Sequence, residues 1–220
     1  MTYEDSLREL ETASYFGVLG YGRSYSNLLY TFLTFPIGLA LFIYSAVCLP
    51  LFVGLSFIIF GFILLYLYLW TLPKLMVGYG YLTKFFIGLP IPDKDYTPKI
   101  EGTFFTKAFN ALKDKRIGKS LLYTLFLAFP FGTFVFSLMT TLISLVVGLI
   151  GAPIAFVVQY YLETGDVWID WVMTHIPTWG IILILILAVI IGFGLIPAVL
   201  QLNNKLAIWH GRMVQKALTR

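Results

Sequence analysis

The sequence predicts an all-α integral membrane protein: four transmembrane helices in two tandem hairpins, interfacial amphipathic helices, and an outer re-entrant or interfacial segment. Three observations carry this. Of the 220 residues, 59 % are hydrophobic and only 12 % charged, whereas soluble domains run near half apolar and a quarter charged. Long stretches lack any charged residue or histidine: 45 residues over Leu28–Leu72, 43 over Ser120–Leu162 and 29 over Ile176–Asn204. The basic residues fall in three blocks that one side of a bilayer can hold. A disulfide framework is excluded because Cys48 is the sole cysteine.

The elements follow in chain order. Residues 1–26 are polar, with Glu4, Asp5, Glu9 and Glu11 and no apolar core of a cleavable signal. The first span is therefore expected to act as an uncleaved anchor. Within that segment Thr2–Ala13 has Tyr3, Leu7 and Leu10 at helical spacing, the pattern of a short amphipathic helix on the inner surface. Residues 27–88 read as the first hairpin and its exit helix. About 20 apolar residues cross roughly 30 Å of hydrocarbon, so the first charge-free stretch holds two spans. The expected turn lies near Cys48-Leu49-Pro50-Leu51; Cys48 beside it reads as a small apolar packer.

Residues 89–119 form the inner connection. Leu89-Pro90-Ile91-Pro92 and Pro98 interrupt it. Phe104, Phe105, Ala108, Phe109 and Leu112 then recur on one helical face, with Lys107, Lys113, Lys115 and Arg116 mostly on the other. That is a helix in the plane of the interface, serving either as a docking surface for a partner or as a lipid-bound elbow into the third span. Residues 120–204 are the second hairpin, with an insertion at about 145–178 and a fourth span at about Trp179–Leu202. Residues 205–220 form a basic tail.

The topology comes from charge. Arg8 and Arg23 precede the first span, nine Lys and Arg separate the second from the third, and four follow the last. The connection Leu145–Trp179 has none, but carries Glu163, Asp166 and Asp170. Lysine and arginine are retained on the cytoplasmic side, which places both termini in the cytoplasm of a multi-pass cell-membrane protein.

The halves resemble each other. Phe32-Leu33-Thr34-Phe35-Pro36-Ile37-Gly38 reappears 94 residues later as Phe126-Leu127-Ala128-Phe129-Pro130-Phe131-Gly132. Lys74-Leu75 and Gly80 match Lys205-Leu206 and Gly211, 131 residues later. The pattern predicts parallel repeats about the membrane normal. The offsets differ by 37 residues, a surplus that falls at roughly Leu145–Thr178. With the third span ending near Thr141–Ser144, Gly148, Gly151 and Pro153 make a break expected there. A re-entrant or interfacial segment then follows; the alternative is a third span that continues past the membrane.

Two surfaces carry candidate chemistry. Outside, Glu163, Asp166, Trp168, Asp170, Trp171 and His175 form a candidate ligand surface, or an aromatic belt with acids facing water. Inside, Phe104, Phe105, Lys107, Phe109, Lys113, Lys115 and Arg116 form a candidate partner or lipid surface. Catalysis, cofactors, metals and nucleic acid are not indicated: no ionisable group other than tyrosine lies in a span, and no nucleotide or nucleophile motif occurs. Thr31, Thr34, Ser45, Ser56, Ser137, Thr140, Thr141 and Ser144 read as interhelical hydrogen-bonders. His210 reads as an interfacial residue.

The runs Arg23-Ser-Tyr-Ser-Asn-Leu-Leu-Tyr30 through Phe35-Pro36-Ile-Gly38, Ala111–Arg116 through Tyr123, Phe129–Gly132, and Phe86–Pro90 resemble the putative sensor domain family. That family is a membrane module of prokaryotic sensor histidine kinases that also occurs alone. The likeness covers Tyr21–Lys216 and implies a non-catalytic sensor or regulator. The 16 residues after Asn204 hold no kinase domain, so output is expected through a separate kinase, regulator or complex, or through a homo-oligomer. Two other classes fit the same features: a structural accessory subunit, and a small transporter or lipid-handling protein.

Overall fold

A computed structural model describes residues 14–56, 59–90, 104–162 and 167–218. The N-terminal amphipathic segment at 2–13 lies outside these, as do Glu163 and Asp166. A 3₁₀ turn, Gly17–Gly20, leads into helix α1, Gly22–Leu55. Helix α2 spans Ile59–Ile87, α3 Phe104–Lys113 and α4 Lys115–Leu122. A π-helical stretch, Tyr123–Ala128, joins α4 to α5, Phe129–Tyr161. The short α6, Val167–His175, precedes α7, Thr178–Leu218. Four helices are long and apolar enough to cross a bilayer, α4, the π stretch and α5 counting as one.

Three expectations are corrected. The first turn is not at Pro50; α1 continues through Pro50 to Leu55. In a bilayer the main chain has no water to bond, so one lost helical bond at a proline is cheaper than an early stop. The chain reverses after Ser56, whose Oγ donates to the Val53 carbonyl at 2.6 Å. Gly61 fits against the backbone of Leu55, where a Cβ would collide.

The third span does not end near Thr141–Ser144, and Leu145–Leu162 is not re-entrant. Helix α5 runs through Gly148, Gly151 and Pro153 to Tyr161, which is the continuation alternative. Packing supplies the reason: Gly192 of α7 brings its backbone against Leu149 and Ile150, with a Cβ there meeting Leu149 at 3.2 Å. The basic tail from 205 continues α7, which is unbroken through 204 and 205. Its last turns bury Ala207, Ile208, His210, Val214 and Leu218.

The repeat is visible as reciprocal contact. Gly38 of α1 abuts the carbonyl of Ala128, and Gly132 abuts the carbonyl of Thr34 at 2.8 Å from a notional Cβ. Gly38 and Gly132 are 94 residues apart, as are Thr34 and Ala128, so the two contacts are one contact with its roles exchanged. The rings repeat the exchange: Phe35 stacks on Phe136 at 4.8 Å, and Phe42 stacks on Phe129 at 5.1 Å. Phe35 and Phe129, which are equivalents, face each other at 6.5 Å. Such i-to-j and j-to-i contacts are the mark of a two-fold interface. Here one chain supplies both halves.

The exit segments complete the relation. The C-terminal turns of α2 and α7 meet in reversed order. Pro73 shares a pocket with Ala217 and Leu218, and Tyr79 meets His210. Ser26 of α1 bonds the Phe86 carbonyl, while Ser24 and Asn27 bond Asn204. The two exits thus cross antiparallel, with the equivalent pair Tyr79 and His210 at the crossing.

Candidate functional site: a histidine–tyrosine node

His210 is the centre of the most concentrated polar chemistry among the described residues. It is 1 % exposed, not interfacial as its neighbours Lys205 and Arg212 suggest. Each wall comes from a different element. Tyr30 stands on α1, Tyr79 and Thr83 on α2, Tyr123 at the first position of the π stretch, and Phe131 on α5. The imidazole lies flat on Phe131, centroids 4.5 Å apart and planes within 4°. Its Nδ1 pairs with the Tyr30 hydroxyl at 2.9 Å. Its Nε2 pairs with the Tyr123 hydroxyl at 2.8 Å and lies 3.5 Å from that of Tyr79.

The direction of these bonds follows from counting donors. Thr83 Oγ1 donates to the Tyr79 carbonyl at 3.0 Å, so its one proton is used. Tyr30, 3.1 Å from Thr83 Oγ1, must therefore donate to it. The Tyr30 oxygen then accepts from Nδ1–H of His210, and Nε2 is left to accept from Tyr123. The ring is neutral in this arrangement. An imidazolium here would be desolvated with no carboxylate among its described contacts. One ordered chain, Tyr123 to His210 to Tyr30 to Thr83 to the α2 backbone, thus ties all four spans together.

The π stretch matters to this geometry. Each α-to-π change shifts side-chain direction along a helix, and π segments recur at functional positions. Here it presents Tyr123 to His210 and, one turn later, presses the Ala128 carbonyl onto Gly38. Beside the node lies a second polar group. Asn27 Nδ2 donates to Asn204 Oδ1 at 2.9 Å, and Asn204 Nδ2 donates to Ser24 Oγ at 3.0 Å. Farther along, Ser45 donates to Thr124 at 3.1 Å.

The outer candidates are only partly gathered. Asp170, Trp171 and His175 share α6 with Trp168, while Glu163 and Asp166 lie outside the described residues. Trp171 stacks on His175 at 4.8 Å, and His175 Nδ1 bonds the Trp171 carbonyl at 2.9 Å. Asp170 is exposed. No group of three potential metal ligands occurs among the described residues. Of the inner candidates, Phe104, Phe105 and Lys107 fall on α3, which is a helix as expected. Phe109 is exposed, with Lys113 Nζ 4.3 Å above its ring. Lys115 is exposed, and the Arg116 amide is capped by Asp114 at 2.9 Å. Ala111 anchors α3 in a cluster with Leu65, Tyr68, Leu69, Leu72 and Ile117, against which Cys48 packs.

The hydroxyl readings are mixed. Ser45 bonds across helices as expected, but Thr34, Ser56 and Thr141 bond carbonyls of their own helix. Sequence reasoning missed the node. The signal was present: the Gly80 and Gly211 match also aligns their neighbours, Tyr79 and His210, at a two-fold axis where equivalents must meet.

No curated protein and no solved structure matches the chain. The family model described as Putative sensor matches residues 30–218, from the first tyrosine of the node to the last described residue of α7. On that match the chain belongs to the Putative sensor family.

Proposed function

We propose that this protein is a non-catalytic membrane sensor whose histidine–tyrosine node couples its two hairpins and passes a membrane or extracytoplasmic signal to a separate partner. The single observation that supports this most is that one hydrogen-bonded chain centred on the His210 imidazole joins the π stretch, α7, α1 and, through Tyr30, α2. A relative shift of the hairpins must break or exchange those bonds, so the node has two discrete arrangements rather than a continuum. Family membership supports a sensory role. The exit segments, and the inner surface of Phe104, Phe105, Lys107, Phe109, Lys113, Lys115 and Arg116, are the proposed output face. The outer surface of Glu163, Asp166, Trp168, Asp170, Trp171 and His175 is the proposed input face. The block distribution of lysine and arginine supports cytoplasmic termini in the cell membrane.

Spin labels at exposed Phe85 on α2 and exposed Phe126 on the π stretch, in a Cys48→Ser background, test the coupling. Their distance distribution is measured in nanodiscs of increasing bilayer thickness. A shift between two populations that His210→Phe abolishes is expected. A single unshifted population, with stoichiometric co-purification of another membrane protein, supports the accessory-subunit reading instead.

A further inference from the structure

The hairpin of α5 and α7 has two parts. In one, Val135, Met139, Val199 and Leu200 are buried, and Asn204 and His210 bond α1. In the other, beyond Ile150 of α5 and Gly192 of α7, the large side chains are mostly exposed: Ile154 to 70 %, Tyr161 to 78 % and Trp179 to 72 %. Each helix carries a proline near that boundary, Pro153 in α5 and Pro197 in α7. A proline has no N–H to give, so the carbonyls of Leu149 and Phe193 lose their helical partners, and each ring presses on that same carbonyl. The two weakened turns abut, because Gly192 packs against Leu149 and Ile150.

The N-terminal turn reaches this boundary. Tyr15 donates its hydroxyl to the Gly194 carbonyl at 2.5 Å, across 179 residues of chain. Gly194 lies inside the turn that Pro197 weakens. The segment behind Tyr15 is itself fixed. Val18 is buried, Ser14 Oγ accepts from the Gly17 amide at 3.2 Å, and Tyr25 of α1 donates to the Leu19 carbonyl at 3.2 Å. Tyr15 therefore ties the base of α1 to the α5–α7 hairpin at the one level where both of its helices are a bond short.

We propose that the α5–α7 hairpin bends at these two prolines and that Tyr15 is the latch holding it in the bend seen here. Latched, the hairpin moves as one body with the base of α1. Released, the part beyond Gly192 swings while the part carrying Asn204 and His210 stays packed. A hinge of this kind confines the change to a few backbone angles, and prolines inside helices are where such bends arise. A single exposed hydrogen bond contributes little net, so the latch opens readily. The device stands on the contacts of the N-terminal turn with α7 and is independent of the sensor reading.

The test uses the full chain in nanodiscs, with spin labels at exposed Leu183 on α7 and exposed Phe85 on α2 in a Cys48→Ser background. Leu183 stands roughly 20 Å beyond Pro197, so a change in bend of about 20° displaces it by about 7 Å. Tyr15→Phe is expected to shift or broaden the distance distribution on that scale. Pro153→Ala and Pro197→Ala together should restore the narrow one. Hydrogen exchange, read in parallel, should rise about fivefold at the amides flanking Pro197 in Tyr15→Phe and stay unchanged at 204–210. An unchanged distribution in Tyr15→Phe overturns the latch. Broadening that persists without the prolines, or faster exchange that spreads equally to 204–210, overturns the hinge, because either describes a general loosening. If the double proline variant does not fold, Gly194→Ala takes its place: a Cβ there meets nothing within 4 Å, and alanine is the better helix former.

Discussion

The two hairpins share a packing plan but not a chemistry. At the α1–α5 crossing the equivalents are conserved in kind: Gly38 and Gly132, Phe35 and Phe129, Phe42 and Phe136, each making its partner's contact in reverse. At the α2–α7 crossing the equivalents have diverged, with Tyr79 on one side and His210 on the other. Symmetric packing needs only small residues where backbones touch and flat rings beside them. A hydrogen bond across a two-fold axis is directional, and two identical groups facing each other leave it unfixed which donates and which accepts. The divergence to tyrosine and histidine turns a symmetric contact into a directed one.

That contrast can be broken most severely at the glycines. Gly132→Leu would place a Cβ 2.8 Å from the Thr34 carbonyl, and no rotamer relieves a backbone clash. The cost is about 3 kcal/mol or more, and loss of the monodisperse peak in size-exclusion chromatography is expected. Gly38→Leu should behave alike if the halves are equivalent; a tolerated Gly38→Leu would show that they are not.

At the diverged crossing, His210→Ala removes the acceptor for Tyr123 and the donor to Tyr30 and leaves a cavity on Phe131. A loss of about 2–4 kcal/mol is expected in thermal unfolding. Within the node the two Nε2 neighbours separate the readings. Tyr123→Phe removes a 2.8 Å bond and should cost about 1 kcal/mol, whereas Tyr79→Phe removes one of 3.5 Å and should cost clearly less. Equal losses would contradict the donor order deduced above. Smaller again for each bond is the lateral pairing: Asn204→Leu breaks the bonds to Asn27 and Ser24, and Ser45→Ala breaks the one to Thr124. Buried bonds of this type in membranes average about 0.6 kcal/mol. Asn204→Leu should therefore lower the melting temperature by about twice as much as Ser45→Ala.

The architecture was legible because the bilayer writes it in composition. Charge-free runs give the spans, and the repeated Phe-Pro-aromatic/aliphatic-Gly motif gives the two-fold relation. What sequence reasoning misplaced were stops. Pro50, Gly148, Gly151 and Pro153 break helices in water, where a freed carbonyl finds solvent, but not in lipid, where it finds nothing. The same bias hid the node. His210 sits between Lys205 and Arg212 in sequence, so it reads as surface; only the antiparallel crossing of the exits turns its ring inward. Of the outer cluster, Asp170, Trp171 and His175 fall on the described helix α6, while Glu163 and Asp166 lie outside the described residues.

The reciprocal glycine contact has a mechanical consequence. With no side chain between them at Gly38 and Gly132, the two long helices bear on each other like the blades of a pair of scissors, and everything beyond that rivet swings together. The polar centre lies beside that rivet, because Phe131, next to Gly132, carries the His210 ring at 4.5 Å.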